Sequence, residues 1–274
     1  MNALSSAQQT LSRFDELARR DSPVHRLDPR AKVVATLVFA VVVVSFGKYE
    51  VAGLLPFALF PVCLAAASGI PLGFVVRQSL PALPFVLAVA AFNPLFDTRP
   101  LTTVGGVALS GGWISFCSIS LRGLLTVFSA VLLVATTGMD RVCGALERVG
   151  LPRVFAVQLL FLYRYLFVLV DEAGRMTRAR SLRSCRKGQA TLAVFGSMAG
   201  QLLLRTLDRS QRISRAMYCR GFDGTVPTLA RSRFRAADAV FVLGWIAAFA
   251  ILRAWPLPPL LYELFQNLFQ PGLR

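Results

Sequence analysis

A chain of 274 residues that is 55% hydrophobic, with mean hydropathy +0.59 and 16% charged residues, falls well short of the roughly 25% charge of a soluble domain and calls for a lipid bilayer around it. The formal net charge of +16 raises nucleic acid or an anionic surface as partners. No aromatic platform alternates with the arginines, so no nucleic acid is expected.

The first thirty residues carry Arg13, Asp15, Glu16, Arg19, Arg20, Asp21, Arg26, Asp28 and Arg30. No cleavable signal with a charged start and an apolar middle fits there, so residues 1–30 read as a retained polar segment. Apolar runs follow at Ala31–Phe46, Val51–Ser68, Leu80–Phe96, Trp113–Thr137 and Ala236–Ala254. Each has about the length that crosses a hydrocarbon core of about 30 Å. Gly105-Gly106 and Gly111-Gly112 lie between the third and fourth runs and read as turn elements. Arg122, early in the fourth run, is expected to snorkel toward the interface.

The chemistry of an enzyme is missing from the pattern. There is no GxxxxGK[ST] phosphate loop, and the clear spans hold almost no carboxylate for proton or sodium coupling. The single histidine, His25, reads as solvated or hydrogen-bonded. The cysteines at 63, 117, 143, 185 and 219 form no CxxC pair and read as reduced small hydrophobes. No catalytic residue, cofactor or metal ligand is expected.

Between Asp171 and Arg235 stand fourteen Lys/Arg against four acids. The positive-inside rule makes this segment cytoplasmic, and with a cytoplasmic N-terminus four spans return the chain there near Gly138. A crossing by the next apolar run, 154–170, would strand Arg175 to Lys187 outside. That run either lies obliquely without crossing or forms a hairpin with 190–204. The oblique arrangement is preferred, because Gln158, Tyr163 and Arg164 interrupt the run and such groups are tolerated where they face protein or water. Five spans then remain. The tail from Trp255 to Arg274 reads as an interfacial helix or a partly ordered end.

One internal repeat stands out. Arg175 opens R-M-T-R-A-R-S-L-R-S and Arg212 opens R-I-S-R-A-M-Y-C-R-G. On a helix, Arg175, Ala179 and Arg183 form one stripe, and Arg212, Ala216 and Arg220 form its twin. An arginine in a last turn also complements the helix dipole with no partner at all. Recurrence of the whole stripe in register favours docking of each arginine fork on an acidic groove, and two similar anchors suggest two similar partner surfaces.

Three stretches carry a family resemblance: SPVHRLDPRAKVVATLVF from Ser22 to Phe39, the E-A-x-R-M-x-x-A-x-x-x-R signature from Glu172 to Arg183, and RAMYCRGFDG from Arg215 to Gly224. The chain resembles the T component, or transmembrane coupling subunit, of energy-coupling factor (ECF) transporters, with the CbiQ-like cobalt and nickel branch nearest. The resemblance implies two coupling helices ending in X-Arg-X signatures that dock on ATPases, here Leu182-Arg183-Ser184 and Cys219-Arg220-Gly221. Ala179-Arg180-Ser181 is a competing first signature, against which the register of the repeat argues. The resemblance also implies an amphipathic coupling segment, met by Met139 to Leu151 with Val142, Leu146 and Val149 on one face. It implies a separate substrate-binding membrane subunit that holds the metal.

The expectation is therefore an all-α membrane protein with about five transmembrane helices and a cytoplasmic coupling module of two or three long helices. Its parts are residues 1–30, a cytoplasmic segment; 31–137, spans one to four; 138–235, coupling helices; and 236–274, the last span and tail. The expected role is the non-catalytic coupling subunit of an ATP-driven importer of cobalt or nickel in the bacterial inner membrane, with two ATP-binding subunits and a substrate-specific membrane subunit as partners. The alternative is a self-sufficient permease or channel.

Overall fold

The structure, a computed structural model, describes residues 2–47, 50–96, 100–104, 107–183, 192–224 and 234–254. The Trp255 to Arg274 tail and Gly105-Gly106 lie outside the described residues. The chain divides into two compact units, Ala18–Thr137 with Ser232–Arg274, and Met1–Leu17 with Gly138–Arg231.

The first unit begins with helix α2, Pro29–Val44. Asp28 caps it by accepting the Arg30 N–H, and Pro29 sits at its first position, where a missing N–H costs nothing. A 3-10 helix, Ala52–Ala58, leads into α3, Leu59–Ser68. Helix α4, Leu72–Ser79, continues through a short 3-10 turn, Leu80–Ala82, into α5, Leu83–Phe96. The third span thus starts at Leu72, eight residues before the expected Leu80. Pro81 tightens the helix there instead of ending it.

Strands β1, Pro100–Val104, and β2, Val107–Ser110, form an antiparallel hairpin with Val104 opposite Val107. Gly111 and Gly112, expected as turn residues, are instead the first residues of α6, Gly111–Thr137. Helix α10, Ala236–Ala254, completes the unit. Apart from that hairpin the described elements are helical. Leu72–Pro94, Gly111–Thr137, Arg153–Arg183 and Ala236–Ala254 are each long and apolar enough to cross a membrane, and Gly53–Ser68 is a shorter apolar helix. The protein is an all-α membrane protein.

Aromatic rings fill the centre of this unit. Phe39 stacks on Phe60 at 4.7 Å between centroids, and Phe249 lies 5.5 Å from Phe39 and 5.3 Å from Phe60, spacings at which ring pairs attract beyond their buried area. Helices α5 and α6 meet closely at Gly123, where an added Cβ would come within 2.5 Å of Val86 Cγ1.

The second unit holds α1, Asn2–Ala18; α7, Met139–Val149; α8, Arg153–Arg183; and α9, Leu192–Cys219. Helix α8 runs unbroken from the apolar 154–170 segment into the basic repeat. Within the N-terminal segment, read only as polar, Asn2–Ala18 forms helix α1. Its Asp15 carboxylate accepts a 2.7 Å hydrogen bond from the Tyr163 hydroxyl of α8. One of the polar groups that interrupt the 154–170 run therefore faces protein.

Candidate functional site

The end of α9 is built by its sequence. Gly221, at φ +77°, adopts the left-handed conformation that a side chain disfavours, and closes a Schellman motif. Its N–H donates to the Tyr218 carbonyl and the Phe222 N–H donates to the Met217 carbonyl, each at 3.0 Å. This satisfies carbonyls that a helix end leaves open. The motif places Arg220 at the last position before the turn, exposed beside exposed Cys219. Phe222 folds back beside Phe161 of α8, with 6.5 Å between ring centroids.

Helix α8 ends at Arg183, which is exposed, as is Leu182 at 82%. Ser184 and Cys185 lie outside the described residues. Arg180 is half-buried one turn earlier. Arg175, Ala179, Arg212 and Ala216 all occupy exposed positions, so both predicted stripes face outward. Among the described residues the guanidinium groups of Arg183, Arg212 and Arg220 have no hydrogen-bond or ion-pair partner.

The two helices are antiparallel. Phe161 meets Phe222, and further along α8 the Glu172 carboxylate takes a 2.5 Å bond from Arg205 of α9. Helix geometry of about 1.5 Å per residue puts Arg183 roughly 16 Å beyond Glu172 in one direction. The same rise puts Arg220 roughly 22 Å beyond Arg205 in the other. The two terminal arginines therefore stand at opposite ends of the pair, roughly 38 Å apart along it.

Glu172 also accepts from Arg175, at 2.7 Å through Oε2. Arg175 is thus occupied within its own helix, while its repeat counterpart Arg212 is not. Beside this crossing lies an apolar groove of about 460 Å³ lined by residues of α8 and α9, among them Phe161, Leu169, Leu207, Met217 and Phe222. The 154–170 segment therefore faces 206–218 of α9 and Phe222 beyond its end. The hairpin with 190–204 is not the pairing observed.

The amphipathic segment forms as α7 and stops at Val149, two residues short of the expected Leu151, because Gly150 turns the backbone at φ +127°. Val142, Leu146 and Val149 share a helical face as expected; Val142, Cys143 and Ala145 are buried, Leu146 is half-buried and Val149 is 44% exposed.

Sequence reading missed a buried polar clamp in the other unit. Asp238, 3% exposed, accepts the Asp28 N–H at 2.8 Å and the Arg235 N–H at 2.7 Å. Lys32, also 3% exposed, donates from Nζ to the Thr136 carbonyl at 3.1 Å, countering the negative end of α6. Asp28 and Lys32 lie in the LDPRAK stretch, whose residues thus join α2 to α6 and α10. His25 is buried and bonds Ser22 through Nδ1 at 2.7 Å. Arg122 reaches the Gly47 carbonyl and the Ser118 hydroxyl, so it is held by protein.

Residues 20–229 match the family model CbiQ, described as cobalt transport protein. An uncharacterized protein of Methanocaldococcus jannaschii is 24% identical over 87% of this chain and 85% of its own. The energy-coupling factor transporter transmembrane protein EcfT of Heliobacterium modesticaldum is 26% identical over 74% of this chain and 81% of its own. The cobalt transport protein CbiQ of Salmonella typhimurium is 27% identical over 52% and 69% respectively.

Proposed function

The chain belongs to the CbiQ family of cobalt transport proteins, T components of ECF transporters, and from that premise we propose that it couples ATP hydrolysis on separate subunits to import. The observation that carries this reading is the antiparallel α8–α9 pair, with Arg183 and Arg220 exposed at opposite ends. Each guanidinium can take a carboxylate bidentately. Two anchors roughly 38 Å apart suit two ATP-binding subunits side by side. Movement of those subunits would shift the ends of the helix pair and be passed on as motion of α8 and α9.

In this reading the chain performs no hydrolysis of its own. The basic 171–235 segment and the N-terminus lie on the cytoplasmic side of a bacterial inner membrane, as the positive-inside rule requires. Helix α8 stays on that side, lying obliquely, since a crossing would carry Arg175 to Arg183 away from it. The substrate is held by a second membrane subunit, and the family match points to cobalt or nickel ions. The cheapest test is co-purification of the two ATPases with the wild type and with an Arg183→Ala, Arg220→Ala double variant, followed by ATP-driven uptake of cobalt(II). Loss of the ATPases and of uptake supports the reading; a double variant that holds both and still imports ends it.

A further inference from the structure

The coupling reading leaves open what fixes the angle and register between α8 and α9. Their shared surface offers little to do so. Helix α9 has no buried residue, α8 buries only Ala156, and between them runs the open apolar groove. Apolar contacts are non-directional, so a pair held by them alone can slide and rotate.

Glu172 supplies a directional link. Its Oε1 accepts from Arg205 across the pair at 2.5 Å, and its Oε2 accepts from Arg175 on its own helix at 2.7 Å. Arg175, three residues on, holds the carboxylate in one orientation, with its other oxygen turned toward α9. The carboxylate is only 23% exposed while both arginines stay largely open, so the acceptor is fixed and the donors come to it. The link lies between the two terminal arginines, roughly 16 Å from one and 22 Å from the other, where a small change of angle is multiplied at the ends.

We infer that Glu172 is a positioning residue: with Arg205 it pins the crossing of α8 and α9 and thereby sets the separation at which Arg183 and Arg220 are presented. The inference rests on the coupling reading for what the ends contact, but the pin itself is a property of this chain.

The test is made in the full chain assembled with its two ATPases, native cysteines kept, with nitroxide labels carried on an unnatural ketone-bearing amino acid at exposed Arg178 and Arg215. Their distance distribution is measured for the parent, Glu172→Gln, Arg205→Gln and the double variant. The expected result is one narrow peak for the parent, its loss in each single variant, and no further broadening in the double. Exchanging the charges, Glu172→Arg with Arg205→Glu, restores the peak while both ATPases remain bound throughout. A peak that stays narrow in both single variants overturns the inference. So does release of the ATPases by both, which would mark the pair as part of general folding. If Arg183→Ala with Arg220→Ala leaves ATPase binding intact, the coupling reading fails while the distance result still decides the pin.

Discussion

The two units of this chain spend their polar groups in opposite ways. In the unit made of Ala18–Thr137 and Ser232–Arg274, some charged groups turn inward: Lys32 and Asp238 are buried and bonded to backbone 104 and 210 residues away in sequence, and the buried Asp28 carboxylate caps its own helix at the Arg30 N–H. In the unit that holds α7 to α9, guanidinium groups turn outward, and Leu203, Leu204 and Leu207 of α9 are exposed as well. The first arrangement ties its own elements together; the second leaves its charges on the surface, where the proposed coupling would use them. Apolar exposure on a candidate span such as α10 is met by lipid, whereas exposed arginines are met by water or by an acidic partner.

If this contrast is sound, the largest internal effect falls on the clamp. Asp238→Ala removes the acceptor of the buried Asp28 N–H and the half-buried Arg235 N–H and should lower stability by about 2 to 4 kcal/mol, visible as a lower melting temperature in detergent. Gly123→Leu comes next. It forces a side chain into Val86 at the α5–α6 contact, and overpacking of this kind costs about 1 to 3 kcal/mol. The same melting measurement reports it, and α9 should be untouched.

Gly221→Ala acts on the other unit and should cost about 1 kcal/mol, because the residue keeps φ +77° only under strain. Its distinguishing sign is an ATPase affinity weakened about fivefold as Arg220 loses its fixed place, with the melting temperature of the clamped unit unchanged. The smallest effect is expected from acid. Arg26 donates two 2.8 Å bonds to Asp21, and these bonds, with the charge beside them, hold that carboxyl below its ordinary value. A depressed carboxylate contributes above its unfolded pKa and loses that contribution as pH falls through the folded one. Melting temperature should therefore show no Asp21 step between pH 7 and 5. A decline between pH 7 and 5 that the Asp21→Asn variant lacks would contradict the assignment.

The sequence makes the outward-facing unit easier to read than the inward-facing one. Arg183 and Arg220 are visible because a repeat is a local pattern, and Gly221 announces a helix end by itself. The bond from Asp28 to Asp238 has no such trace, since nothing in either neighbourhood names the other. Helix α1 was hidden because its charges suggested a solvated segment; only the Tyr163–Asp15 bond shows what one of them serves. The early start of the third span was hidden by Pro81, a residue that ends most helices but here only tightens one. Leu151 was placed in the coupling segment because helical periodicity was carried through Gly150, where the backbone turns.

The central claim is that Arg183 and Arg220 act on partners and not on the fold. Titrating purified ATPases onto the wild type and the Arg183→Ala, Arg220→Ala variant, with melting curves recorded for both, tests it most directly. Loss of a charge-assisted pair in a desolvated groove costs about 2 to 5 kcal/mol at each site. The account predicts dissociation constants at least about a hundredfold weaker at an unchanged melting temperature. Equal dissociation constants, or weaker binding that only follows a lowered melting temperature, would contradict it.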